Sequence, residues 1–344
     1  MSLATNKKTV SDSTNKTILV CGAGGFIGSH LCEHLKSLGH TVVGADLKYP
    51  LYKPHSIVDK FHQVDLRHWS AVNEIFTEGF DGKPFDEVYQ LAADMGGAGY
   101  IFVGENDADI MHNSAKINLN ILEVMHQHEV KKVFYSSSAC MYPQENQTDP
   151  NNPDLAEATA YPANPDSDYG WEKLFSERLY QAYSRCHGID VRIARFHNIF
   201  GPCGSWDNGK EKAPAALCRK VAKAQKEDTV DVWGPGNQTR SFLFINECVE
   251  GMLRMMESDC QEPLNLGSTR KVTINQLVEM IAKIAEKTIY INNVNGPVGV
   301  MGRTSDNNLI QEKIGWAPDE NLEAGLEATY KWICWQIEQN QIDV

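Results

Sequence analysis

Thr17-Ile18-Leu19-Val20-Cys21-Gly22-Ala23-Gly24-Gly25-Phe26-Ile27-Gly28 is the stretch on which the fold turns. Its first five residues are apolar or β-branched and read as a short buried strand. Gly22, Gly25 and Gly28 then fall at three-residue intervals and lead into Phe26, Ile27 and Leu31, the apolar face of a helix. The first glycine permits a tight turn, the second lets the backbone approach a pyrophosphate, and the third lets helix pack on strand. Phosphates would then lie at the helix N-terminus, where free N–H groups and the dipole favour anions. A second strand, Thr41-Val42-Val43-Gly44-Ala45, ends at Asp46, whose carboxylate can accept hydrogen bonds from both ribose hydroxyls and would repel a 2′-phosphate. This order points to NAD rather than NADP, with Lys48 the one feature working against that preference. An ordinary strand-turn-helix with a surface aspartate is the plainer alternative.

Outward from this core, strands are expected at 17–21, 41–45, 61–64, 86–91, 131–136 and 190–196, with helices at 26–38, 107–128 and 168–187 between them. That alternation predicts an α/β fold with a Rossmann-like, doubly wound parallel sheet. Gly201-Pro202-Cys203-Gly204, Gly234-Pro235-Gly236 and Gly296-Pro297 punctuate the mixed region beyond, with helices expected at 213–226, 274–286 and 320–338. A formal charge of −13 over 344 residues argues against nonspecific nucleic-acid or anionic-membrane binding, so an anionic nucleotide needs a locally basic pocket. Residues 1–16 are polar and read as a disordered leader without an export signal, and no apolar run approaches the ~18 residues of a membrane span. The nine cysteines show neither metal spacing nor a secreted framework, so no metal is expected and a reducing cytoplasm is the simplest compartment.

Tyr169 and Lys173 stand four residues apart and share a helix face, where an ammonium can lower the phenol's pKa enough for proton transfer. Such a pair also arises by chance on surface helices. Together with Gly22-x-x-Gly25-x-x-Gly28, Asp65-Leu66-Arg67 and Leu91-Ala92-Ala93, however, it resembles the extended short-chain dehydrogenase/reductase family of NAD-dependent epimerases and dehydratases. The resemblance runs from about Thr17 to about Gln336. Five further blocks resemble the branch of that family that inverts C5 and C3 of GDP-mannose. They are Ala93-Asp94-Met95-Gly96-Gly97, Ser138-Ala139-Cys140, Arg195-Phe196-His197-Asn198, Glu211-Lys212-Ala213-Pro214-Ala215 and Gly302-Arg303-x-Ser305-Asp306-Asn307-Asn308.

The resemblance implies an NAD-binding domain formed mainly by residues 17–200 and a smaller mixed α/β lobe formed mainly by 201–344, with crossings back to the first. It places the cofactor against Gly22, Gly25, Phe26, Ile27, Gly28, Asp46, Asp65, Leu66, Leu91, Ala92, Ala93, Tyr169 and Lys173. It makes the substrate a GDP-sugar, oxidised at C4 with Tyr169 taking the hydroxyl proton beside Ser138. The 4-ketone acidifies the C3 and C5 hydrogens, and Cys140 and Lys212 are expected as base and acid on opposite ring faces. A thiol and a desolvated lysine are both tunable towards neutral pH. Where sugar dehydratases carry an acid, this chain has Ala139, which removes the proton donor for expelling water.

Gly97, Ser138, Ala139, Cys140, Asn198, Glu211, Lys212, Lys220, Gln238, Arg240 and Arg303 are the substrate contacts so implied, with Arg303 on the diphosphate. His197 is expected to be packed rather than catalytic, and Trp233 reads as a nucleotide-flanking turn or as core. Met301 stands where that branch has a second arginine, Asn246 replaces an aspartate, and Gly28 replaces an alanine. The alternatives are a 4-epimerase or dehydratase of another nucleotide sugar, and a catalytically inert NAD-binding scaffold. Relatives pair through the helices at 107–128 and 168–187, so a homodimer is expected by analogy.

Overall fold

Every residue of β1 (Thr17–Cys21) is buried, the mark of a parallel strand covered on both faces. The computed structural model describes residues 15–319 and 321–342. After β1 come α1 (Phe26–Ser37), β2 (Thr41–Asp46), β3 (Lys60–Gln63), α2 (Trp69–Glu78), β4 (Glu87–Gln90), α3 (Ala98–Ile101) and α4 (Asp107–Gln127). They are followed by β5 (Lys132–Ser138), α5 (Asp168–His187), β6 (Asp190–Phe196), β7 (Ile199–Phe200), α6 (Ala213–Lys223), β8 (Thr229–Trp233), β9 (Thr239–Ser241), β10 (Leu243–Phe244) and α7 (Ile245–Glu257). The remainder is β11 (Leu264–Leu266), β12 (Lys271–Thr273), α8 (Ile274–Ile284), β13 (Tyr290–Val294), β14 (Gly302–Arg303), α9 (Asn308–Ile314) and α10 (Leu322–Ile342).

Seven strands form one sheet in the order β11-β6-β5-β4-β1-β2-β3, all parallel. The strand order reverses between β1 and β4, and the crevice outside the carboxyl ends at such a point is where α/β sheets bind ligands. On one sheet face Leu31 and Leu35 of α1 pack with Cys248, Met252 and Met255 of α7. On the other, Ile117, Ile121 and Met125 of α4 pack with Val72, Ile75 and Tyr180. A third core gathers Leu217 and Val221 of α6, Leu277 and Ile281 of α8, and Leu326 and Ile333 of α10. After residue 200 the chain returns to the sheet, where β11 pairs with β6 through Leu264 and Ala194.

The six strands and six helices read from the sequence all form, with ends displaced by a few residues. β5 runs on to Ser138, which carries its last residue to the rim of the crevice. α6 stops at Lys223, and α10 begins at Leu322 and continues to Ile342. Four helices, α2, α3, α7 and α9, escaped the reading. α2, α3 and α9 are short, and α7 follows directly on β10, so strand and helix patterns merge over 243–257. The expected leader at 1–16 lies outside the described residues except for Asn15 and Lys16, whose ammonium pairs with Glu87 at 2.7 Å.

Candidate active site

The crevice at the strand reversal is shaped by backbone that side chains would obstruct. Gly22 has φ +86°, and a Cβ there would lie 2.8 Å from the Ala92 nitrogen. A Cβ on Gly28 would lie 2.1 Å from the Gly22 oxygen, which explains how α1 approaches the β1 exit so closely. Gly24, which the three-residue spacing passes over, is equally constrained, since its Cβ would meet the Lys48 oxygen at 1.9 Å. Gly25 precedes α1 without a side-chain cap, so the first N–H groups of the helix, at Phe26 and Ile27, are left for an anion. The Asp46 carboxylate accepts from the Gly24 and Lys48 nitrogens at 3.1 and 3.2 Å, while burial raises its pKa. Lys48 thus meets Asp46 through its backbone N–H.

Leu91, Ala92 and Ala93 leave β4 beside Gly22, and the Gln90 amide braces Ala92 from both sides at 2.8 and 3.1 Å. Asp65 is clamped by Arg67 at 2.7 Å, and the Leu66 oxygen accepts from Asn120 at 3.0 Å. Gln90 and Asn120 carried no sequence signal, because their roles exist only once strand and helix are adjacent. This cradle of glycine backbone, open helix terminus and the Asp46 carboxylate at the end of β2 fits a dinucleotide such as NAD.

Next to it, β5 delivers Ser138, whose hydroxyl caps the short turn Ala139–Met141 by accepting from the Cys140 nitrogen at 3.2 Å. Ser167 caps α5 by accepting from Gly170 at 3.2 Å. A Cβ on Gly170 would lie 2.2 Å from the Cys140 oxygen, so this glycine lets α5 lie directly against the turn. Tyr169 therefore enters the pocket at the first turn of α5, where its phenol lies close to the Ser138 hydroxyl. One helical turn on, Lys173 donates to the Ser136 oxygen at 2.8 Å and sits 5.7 Å from the Tyr169 ring centre. Burial raises the Tyr169 pKa, with the Cys140 charge adding to it and Ser138 opposing it. Burial lowers that of Lys173.

Cys140 is 9% exposed and accepts a hydrogen bond from Arg303 Nη1 at 2.9 Å. Lys212 stands immediately before α6, its pKa lowered by burial and pulled back chiefly by the Cys140 charge. Beside it, one Glu211 oxygen accepts from Arg219 at 2.6 Å and the other is buried without a partner. Gly97 donates to the Lys210 oxygen at 3.0 Å, and a Cβ there would lie 2.4 Å from the Glu211 oxygen. The 94–100 loop is thereby closed against the segment that carries Lys212.

The remaining residues line the approach with varying commitments to protein partners. Arg240 donates only to the carbonyls of Thr239, Val298 and Val300, at 2.8, 2.9 and 2.6 Å, and burial together with Arg303 pushes its pKa down to about 9. Such a guanidinium is ready for an anion. Arg303, read as a diphosphate ligand, is held by Gln147 at 2.6 Å and Asp166 at 2.7 Å as well as by Cys140. Asn198 (φ +40°) and Lys220 donate to the Ser241 and Asp231 oxygens at 3.0 and 2.6 Å. Gln238 donates to the Trp233 oxygen at 2.9 Å and leaves its own oxygen buried without a partner. Trp233 is 46% exposed, which corrects its reading as core. His197 is fully buried against Asn265 at 3.1 Å, with a pKa pushed down to about 3 by burial.

A nucleotide-binding sheet whose rim carries Ser138, Tyr169 and Lys173 defines a class that comparison with known proteins bears out. The model for the NAD dependent epimerase/dehydratase family matches residues 18–267, and the chain belongs to that family. It is 47% identical to GDP-mannose 3,5-epimerase of Arabidopsis thaliana, over 96% of this chain and 85% of that protein. It is 46% identical to GDP-mannose 3,5-epimerase 1 of Oryza sativa subsp. japonica, over 94% of this chain and 83% of the other. Its fold matches the UDP-glucuronic acid 4-epimerase of Bacillus cereus, solved with UDP-glucuronic acid and NAD, with TM-score 0.77 and 24% identity over 93% and 99% of the two chains.

Proposed function

We propose that this chain is an NAD-dependent GDP-mannose 3,5-epimerase, converting GDP-mannose to GDP-L-galactose and GDP-L-gulose. The observation that carries this reading is the buried Cys140 thiol, packed with Tyr169 and hydrogen-bonded to Arg303 where Ala139 leaves no acid to expel water. The likeness to the two plant enzymes over nearly the whole chain supports it. Held by the Gly22–Gly28 turn and Asp46, NAD would supply the hydride acceptor and donor for the sugar C4. Ser138 and Tyr169 hold the 4-oxygen and move its proton, and Lys173, one helical turn from Tyr169, would help hold the cofactor beside them. Cys140 removes the C5 or C3 proton, and Lys212 delivers one from the opposite face. Arg240 is the cation best placed for the diphosphate, with Asn198, Gln238 and Lys220 towards the nucleotide and Gly97 and Glu211 towards the sugar. Residues 17–200 mainly serve the cofactor and 201–344 the nucleotide sugar.

α4 and α5 carry apolar stripes at Met111, Ala115 and Leu119 and at Trp171, Phe175 and Leu179, with Met111, Leu119, Trp171 and Phe175 exposed. This pattern supports a homodimer built through these two helices. The nine unpaired thiols support a cytoplasmic setting. Among the described residues no helix is long and apolar enough to cross a membrane.

Incubation with GDP-mannose in D2O tests the reading. Deuterium at C5 and C3 without loss of water is expected, and a 4-keto-6-deoxy product would replace the epimerase by a dehydratase. Denatured protein should release NAD, and Asp46→Ala should weaken the preference over NADP.

A further inference from the structure

Three segments of chain converge on one guanidinium. Arg303 comes from β14, Asp166 from the loop ahead of α5, and Gln147 from the loop that follows the Cys140 turn. Arg303 donates through Nη2 to Asp166 at 2.7 Å, through Nε to Gln147 at 2.6 Å, and through Nη1 to Cys140 Sγ at 2.9 Å. The Arg303 and Asp166 side chains are only 7% and 3% exposed, so water does not compete for these bonds. Gln147 is itself anchored, its amide donating to the Tyr142 and Pro143 oxygens at 3.2 Å each, which leaves its oxygen facing Arg303. Because a guanidinium is planar and rigid, fixing two of its nitrogens fixes the direction of the third. That third nitrogen points at the sulfur.

We propose that Asp166 and Gln147 are positioning residues that aim Arg303 at the Cys140 sulfur and so hold Cys140 as a thiolate base. The proposal rests on the reading of Cys140 as the group that deprotonates the 4-keto sugar. In that step the carbon's proton passes to sulfur, giving a neutral thiol, and the C–H electron pair moves onto the 4-oxygen. The other charged or titratable groups facing Cys140 are Tyr169 and Lys173 from α5, Lys212 ahead of α6 and Arg240 from β9. Arg303 is the cation hydrogen-bonded to the thiol.

The ultraviolet thiolate band of the NAD-loaded protein, titrated without substrate and corrected by subtracting Cys140→Ser in the same background, reads the Cys140 midpoint directly. Arg303→Gln should raise that midpoint by ~1–3 pH units, the range for losing a nearby opposite charge. Asp166→Asn decides the matter by sign. Removing a carboxylate from beside a thiolate would by charge alone lower the midpoint, whereas loss of aim raises it, and Asp166→Glu should bring it back towards the parent. Gln147→Leu, which changes no charge, should also raise it and should lower kcat with little change in KM for GDP-mannose. A lowered or unmoved midpoint in Asp166→Asn, or an unmoved one in Gln147→Leu, would overturn the proposal. An intact protein inert towards GDP-mannose but with these midpoint shifts would instead sink the functional reading.

Discussion

Loss of one oxygen atom at Tyr169 separates proton transfer from simple binding. The phenol lies close to Ser138 inside a buried pocket, so Tyr169→Phe should reduce turnover by about 10²–10⁴-fold. Nucleotide affinity, read by calorimetry, should be nearly unchanged, and undiminished turnover would make the tyrosine structural. At His197 burial has a consequence for stability. The folded pKa is about 3 and the ordinary value is 6.5, so between these the unfolded chain binds a proton that the folded chain refuses. Stability therefore falls as pH drops through that window, at about 1.4 kcal/mol per unit. Melting at pH 7 and at pH 5 should show a smaller acid loss in His197→Gln than in the parent, and equal losses would count against the assignment.

At the scale of elements, the active site depends on how tightly α5 lies on the Cys140 turn. A methyl group at Gly170 would sit 2.2 Å from the Cys140 oxygen, a backbone atom that cannot rotate away. Gly170→Ala should cost about 1–3 kcal/mol, as overpacking does, and should depress kcat by displacing Cys140 from Tyr169. α8 offers the contrast, with Thr273 and Gln276 forming a reciprocal capping box at its start. Thr273→Ala should cost about 1 kcal/mol and leave kcat unchanged. Chemical denaturation paired with steady-state kinetics separates the two, and an equal loss of kcat in both variants would refute the local argument.

For the whole molecule, the exposed stripes of α4 and α5 predict assembly. Replacing both Trp171 and Phe175 by lysine should convert a dimer to monomers in sedimentation, because two charges would have to be desolvated at the centre of the contact. A parent protein that sediments as a monomer would dispose of the prediction. The Arg195–Glu177 ion pair, at 2.7 Å with 4% and 1% exposure, ties β6 to α5 behind the site and accepts Ser137 into the same network. Breaking it from one side should cost roughly 3–5 kcal/mol, since the remaining charge would be buried alone. Glu177→Leu and a urea titration check this.

The alternation of strand and helix, the glycine turn, Asp46 and the Tyr169–Lys173 pair were legible in the sequence because each depends on local spacing or backbone conformation. Cys140 and Lys212 stood out only through the blocks around them, since a buried thiol and a helix-start lysine have plainer explanations. Tertiary structure decided the rest. Gln147 and Asp166 meet Arg303 across 156 and 137 residues of chain, and no periodicity registers a contact of that length. It also decided what surrounds each charge. A lysine beside a tyrosine suggests a lowered phenol pKa, yet burial raises it, because desolvation is set by the whole fold and not by the neighbour one helical turn away.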